Sequence, residues 1–156
     1  MNHLRRAFLK NAGAVGTVAI AIAAGLLKPI EVFASTWNNL AFTSKDSTDS
    51  INNAGFGNAS ESSDIKIKAP DIAENGAVVP ISATSSIPGT TSIAIFVEKN
   101  PNPLIATFDL MDGTEPYIST RVKMAKTSIV RVSVKAGGKN YTNTREVKVT
   151  IGGCGG

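Results

Sequence analysis

From Ile65 to Ile151 the sequence is written in alternation, in short runs where every second residue is apolar and each run closes on residues that turn the chain. Ile65 and Ile67 alternate with Lys66 and Lys68, and Val79, Ile81 and Ala83 with Pro80, Ser82 and Thr84. Ile93, Ile95 and Val97 share a face, as do Leu104, Ala106, Phe108 and Leu110. Ile118, Thr120, Val122 and Met124 stand against Arg121 and Lys123, and Val130, Val132 and Val134 against Arg131, Ser133 and Lys135. A last run covers Tyr141 to Ile151, with Val147, Val149 and Ile151 opposed to Lys148 and Thr150. Successive side chains of a strand point to opposite faces, so this period puts one face on a core and the other toward solvent. Asn75-Gly76, Pro88-Gly89, Asn100-Pro101-Asn102-Pro103, Asp112-Gly113 and Gly137-Gly138 supply the turns. No run is followed by a helical stretch of useful length, which argues against a doubly wound α/β fold. The pattern predicts an all-β fold, an immunoglobulin-like antiparallel β-sandwich of about seven strands over residues 65–151. Pro80 has no amide donor and is expected at an edge strand or a bulge.

The last predicted strand runs directly into Gly152-Gly153-Cys154-Gly155-Gly156. Glycines on both sides of Cys154 leave a backbone without side-chain bulk and free to take positive φ, so residues 152–156 are expected to form a thin, flexible arm that carries the thiol away from the sandwich. Cys154 is the single cysteine, which excludes an internal disulfide and leaves an intermolecular bridge or a free reactive thiol. The plainer alternative is a frayed end with an incidental cysteine.

Residues 1–34 read as an export signal. A basic region, Arg5-Arg6-Ala7-Phe8-Leu9-Lys10, precedes an Ala- and Gly-rich apolar run from Ala12 to Leu27, shorter than the roughly 20 residues that span a bilayer. Lys28 and Pro29 close it, and Val32-Phe33-Ala34 before Ser35 places small residues where a signal peptidase reads. Arg5 and Arg6 followed by Phe-Leu-Lys resemble the bacterial twin-arginine signal, with Leu4 where Ser or Thr is more usual. Removal, a periplasmic location and no stable membrane anchor are expected; an ordinary secretory signal or an uncleaved anchor is the alternative.

Composition then narrows the chemistry. Four of the 16 basic and one of the 12 acidic residues lie in 1–34, so the mature chain carries 12 against 11 and nucleic acid is not an implied partner. The single histidine, His3, leaves with the signal. What remains has no Ser-His or Cys-His dyad and no histidine metal ligand, and neither a metal nor another cofactor is expected.

Residues 35–64 mix Trp37, Leu40, Phe42, Ile51 and Phe56 with many Ser, Asn, Asp and Gly residues. They read as a leader arm, with a short helix around 45–53, that either packs its aromatics on the domain or a partner or stays mobile. Asp109, Asp112 and Glu115 around Gly113 do not match a calcium-loop spacing and read as a turn between strands. Arg121, Lys123, Lys126, Arg131 and Lys135 are expected on outward positions of two adjacent strands, as a solvated face or as a docking face for an acidic partner or an anionic adduct.

These parts together resemble a known family. The twin-arginine-like signal, a β-rich domain of this length, the segment Arg121-Val122-Lys123-Met124-Ala125 and the ending from Val147 through Gly152-Gly153-Cys154-Gly155-Gly156 are similar to SoxY, the sulfur-carrier subunit of the periplasmic thiosulfate-oxidising Sox system. The resemblance covers the signal and the region from Ile65 on; 35–64 matches least. It implies an immunoglobulin-like domain paired as a heterodimer with a second β protein, SoxZ. It also implies that Cys154 is where sulfur substrates are held covalently, while other Sox enzymes attach thiosulfate oxidatively, release sulfate by hydrolysis and process the remaining sulfane sulfur. On that reading the chain is a carrier and not an enzyme, and Gly152, Gly153, Gly155 and Gly156 give it clearance in narrow channels. The rival readings are an exported sandwich that assembles through an intermolecular Cys154 disulfide, and a sulfurtransferase or thiol peroxidase using Cys154.

Overall fold

The computed structural model describes residues 37–151. Arg5, Arg6, Gly152, Gly153, Cys154, Gly155 and Gly156 lie outside the described residues. The alternating runs form two facing sheets built from nine strands among the described residues: β1 (Ser60–Glu61), β2 (Ile65–Lys68), β3 (Ile72–Ala73), β4 (Val79–Ser85), β5 (Thr90–Val97), β6 (Leu104–Asp109), β7 (Tyr117–Val122), β8 (Ser128–Ala136) and β9 (Lys139–Val149). One sheet has the order β1-β9-β8-β5-β6, with β3 also on β9, and the other the order β2-β4-β7. Pairing is antiparallel except for the two-residue strands β1 and β3, which run parallel to β9 and were not legible as alternation. The predicted sandwich is the observed one.

Ile65, Val79 and Ile81 from one sheet meet Ile93, Ile95, Val130, Val132 and Val134 from the other in a single buried cluster. Each such side chain taken from water contributes about 1.5–3 kcal/mol, which fixes register, because a one-residue slip would turn a whole strand inside out. Gly137 and Gly138, at φ +55° and +74°, make the two-residue turn between β8 and β9, and the pair Ala136 with Lys139 closes it. Positive φ at both positions is what a tight hairpin with the right twist requires. The Asp112-Gly113 turn is also as read, with Gly113 at φ +81° and the Thr114 N–H donating to the Met111 carbonyl at 3.0 Å.

The larger sheet is covered on its outer face too. Ala94, Phe96 and Leu104 are buried there under two short helices, α1 (Asn39–Thr43) and α2 (Ser47–Asn53), together with Ala41 and Phe56. The Phe56 and Phe96 rings meet edge to face at 6.2 Å. Helices this short are marginal alone, so packing and caps hold them. The Ser50 hydroxyl donates to the Ala41 carbonyl at 2.9 Å and ties one helix to the other. The helix expected around 45–53 is α2, and its N-cap is Asp46, whose Oδ1 accepts from the Thr48 and Asp49 N–H groups at 2.7 and 3.1 Å. Asp46→Ala should lower stability by about 1 kcal/mol, read as a shift of the urea midpoint at unchanged slope; no shift would mean that packing alone orders α2.

Two details differ from the sequence reading. Leu104 does not share a face with Ala106 and Phe108. A bulge between the Ile95–Ala106 and Phe96–Leu104 pairs leaves Ile105 unmatched, so Leu104 turns outward to the helices. Pro80 is not on an edge strand, since β4 is the middle strand of its sheet. The pairing of β2 with β4 stops at Ser82, so Pro80 has only β7 alongside and its missing donor costs no bond on the open side.

Candidate functional site

The candidate thiol belongs to Cys154, three residues past Ile151, and what the described structure shows is the base on which its arm is mounted. β9 carries the chain to Val149, with β3 beside it in the register Ile72 to Lys148 and Ala73 to Val149. Beyond the strand, the Thr150 N–H donates to the Ala73 carbonyl at 3.1 Å and the Thr150 hydroxyl to the Glu74 carbonyl at 2.9 Å. The Gly76 N–H then donates to the Ile151 carbonyl at 2.8 Å. The backbone is therefore held up to the residue that precedes the first glycine.

This clamp is itself tied down. The Gly76 carbonyl accepts the Met124 N–H at 2.7 Å, and the Thr127 hydroxyl accepts the Val149 N–H at 2.9 Å. Asn100 closes the ring from the opposite loop: its Nδ2 donates to the Lys123 carbonyl at 2.7 Å and its Oδ1 accepts the Ala125 N–H at 2.9 Å. Each loop at this end of the sandwich is thus locked through backbone groups that would otherwise be unpaired. Gly76 is read from sequence only as a turn residue; nothing in the pattern marks it, Thr150 or Asn100 as the mount of the arm. The signal that exists is position, since all three follow or precede strand ends.

The sandwich between residues 37 and 151 has neither cysteine nor histidine. Among the described residues no group of three His, Cys, Asp or Glu side chains is placed to hold a metal ion, and no helix is long and apolar enough to cross a membrane. The expected basic face is corrected by the topology, because β7 and β8 belong to different sheets. Arg121 is on the smaller sheet. Arg131 lies against Glu98 at 2.7 Å, and the Lys135 ammonium sits 4.4 Å over the Phe56 ring. Lys123 and Lys126 alone of that run stand in the loop whose Met124 N–H bonds Gly76 and whose Thr127 hydroxyl bonds Val149. On the smaller sheet, hydrogen bonds from Ser82 and Ser119 hold the Tyr117 phenol below its ordinary pKa.

The described residues define a class of protein, a mostly antiparallel β-sandwich whose last strand is held by hydrogen bonds as far as Ile151. The comparisons give the family. The model of the family described as "Sulfur oxidation protein SoxY" matches residues 52–154, a span that includes Cys154. The solved structure of the sulfur carrier protein SoxY from Chlorobium limicola f thiosulfatophilum is 50% identical over 66% of this chain and 96% of that one, with a TM-score of 0.59. Superoxide reductase (neelaredoxin) from Ignicoccus hospitalis aligns at 16% identity over 55% of this chain and 79% of its own, with a TM-score of 0.48. No curated protein sequence matches. The chain belongs to the SoxY family of sulfur-oxidation carriers.

Proposed function

We propose that this protein holds thiosulfate-derived sulfur covalently on Cys154 and presents it to partner enzymes, without catalysing the steps itself. The observation that carries this reading is that the family match runs through Cys154 of a chain whose sandwich has no histidine and no second cysteine. In the loading step the Cys154 sulfur bonds to the sulfane sulfur of thiosulfate; the thiol proton and two electrons leave to an oxidising partner enzyme. Hydrolysis of the product, Cys-S-S-SO3−, by water then releases sulfate and a proton and leaves a persulfide on the cysteine. A thiol reacts through its thiolate and needs access, which a glycine frame supplies. Arg5 and Arg6 route the chain to the periplasm, residues 1–34 are removed, residues 35–64 and 65–151 form the body and 152–156 the arm. The sandwich pairs with a SoxZ-like subunit.

The test is the intact mass of protein isolated from its native compartment, with and without reductant. Adducts of sulfur or thiosulfate mass that reductant removes support the carrier. Bare protein, or only a reducible dimer, refutes it in favour of assembly through Cys154. The glycines give a second test. Gly153→Val is expected to slow turnover by partner enzymes at least about tenfold, as a misplaced reacting group does, with the melting temperature unchanged. Parallel losses of stability and turnover would show that the residue serves the fold.

A further inference from the structure

Covalent geometry limits where Cys154 can be met. A chain spans at most about 3.6 Å per residue, so the Cys154 Cα stays within about 11 Å of that of Ile151. Any enzyme that takes this thiol into a pocket must therefore press against the end of the sandwich where the arm is clamped.

That end has a definite chemistry. Ile72, Val78 and Ile151 are 59%, 53% and 65% exposed. Single exposed aliphatics are ordinary, but these three share one location: Ile72 adjoins Ala73, Val78 is two residues from Gly76, and Ala73 and Gly76 are the groups that bond Thr150 and Ile151. Exposed lysines lie among them. Lys148 is opposite Ile72 in the β3–β9 register, Lys123 adjoins the Met124 whose N–H bonds Gly76, and Lys126 adjoins the Thr127 that bonds Val149. Of the nearby acids, Asp71 is held by Arg145 at 2.7 Å, which leaves Glu74 and Glu146 against Lys123, Lys126 and Lys148. We infer that this end is the docking face for the enzymes that act on Cys154, and that it fits a partner surface with acidic side chains around an apolar pocket entrance.

The inference rests on the carrier reading and deepens it. Opposite charges across such a face raise encounter rates and fix orientation, an effect that salt weakens. The experiment is reconstituted thiosulfate oxidation with the full protein as the varied substrate. Lys123→Glu with Lys148→Glu is expected to raise the KM for the carrier about tenfold and to flatten its salt dependence. Ile72→Ser with Val78→Ser should raise KM as well, with kcat nearly unchanged in both. Met111, 84% exposed in the turn after β6 at the far end of the sandwich, provides the control Met111→Ser, which should leave KM alone. Iodoacetamide must alkylate Cys154 at the same rate in every variant, so that the effect is docking and not thiol chemistry.

Unchanged KM in both double variants, with the unaltered protein turning over, overturns the docking face and leaves the carrier standing. A rise of equal size in Met111→Ser also overturns it. Loss of the SoxZ-like subunit from the variants, or loss of a self-associated dimer seen for the unaltered protein by light scattering, would assign the face to that occupant instead. If the unaltered protein supports no turnover, the carrier reading falls and this one with it.

Discussion

Cys154→Ser should abolish thiosulfate oxidation by the reconstituted system, with a rate no higher than when the protein is omitted. A serine hydroxyl cannot form the sulfur–sulfur bond that carriage requires, and 37–151 holds no second thiol to substitute. The variant should still fold, with the melting temperature of the unaltered protein, because Cys154 lies outside the clamp at Thr150 and Ile151. It should also still pair with a SoxZ-like subunit. Oxidation that persists at even a tenth of the original rate would show that sulfur is held elsewhere.

The second large effect falls on the body. Phe96→Ala should cost about 3–5 kcal/mol. Phe96 is fully buried, lies against Phe56 at 6.2 Å, and sits where β5 packs on one side into the sheet and on the other under α1 and α2. Its loss opens a cavity that the helices cannot fill without straining the bonds that anchor the segment after α2 to the sheet, from Asn140 Nδ2 to the Gly55 and Gly57 carbonyls at 3.2 and 2.8 Å. Denaturant unfolding checks the number, and a cost below about 1 kcal/mol would mean that the helices are an accessory to the fold. At a temperature where the variant is still folded, alkylation of Cys154 should proceed at the normal rate, since the helices cover the outer face of the larger sheet and the arm leaves from an end. A variant altered in both would couple two regions that the structure separates.

The strands were legible because each has a wet and a dry side. Val130, Val132 and Val134 against Arg131 and Lys135 state both the period and the direction of the core. The same logic finds one face of β5 and misses the other, which is also buried, so that Ala94 and Phe96 look like filler between Ile93, Ile95 and Val97 until the helices are seen above them. Leu104 misled for a related reason. Counting by twos assumes that no residue is inserted, and the bulge at Ile105 inserts one. Arg131 and Lys135 were read with their alternation, outward, and they do point out of the core, but Arg131 meets Glu98 there and Lys135 the Phe56 ring and the Ala54 carbonyl that follow α2, rather than open water. The edge expected at Pro80 was half right physically: the chain needed a place without a neighbour, and it found one past the end of β2 inside a middle strand.

The candidate thiol was readable from composition only, since residues 152–156 lie outside the described residues. Gly152-Gly153-Cys154-Gly155-Gly156 and the absence of another cysteine pointed to Cys154 without any structure. The mount was not, because Gly76, Thr150 and Asn100 act through backbone and short polar groups between residues 23 to 77 positions apart, and such bonds leave no period to read.

The clamp also sets a concentration. Under the proposed function, the meeting of a docked partner's reactive group with Cys154 would be intramolecular, and for a flexible tether long enough to span the two sites the effective concentration falls roughly as the −3/2 power of tether length. Counted from Ile151 that tether is three residues; were the bonds at Thr150 and Ile151 undone, it would count from Val149 and be five. The same thiol would then be diluted about twofold at each partner's pocket. If Cys154 carries sulfur as proposed, three hydrogen bonds just ahead of the first glycine would thereby act on the rate of every transfer, without touching sulfur.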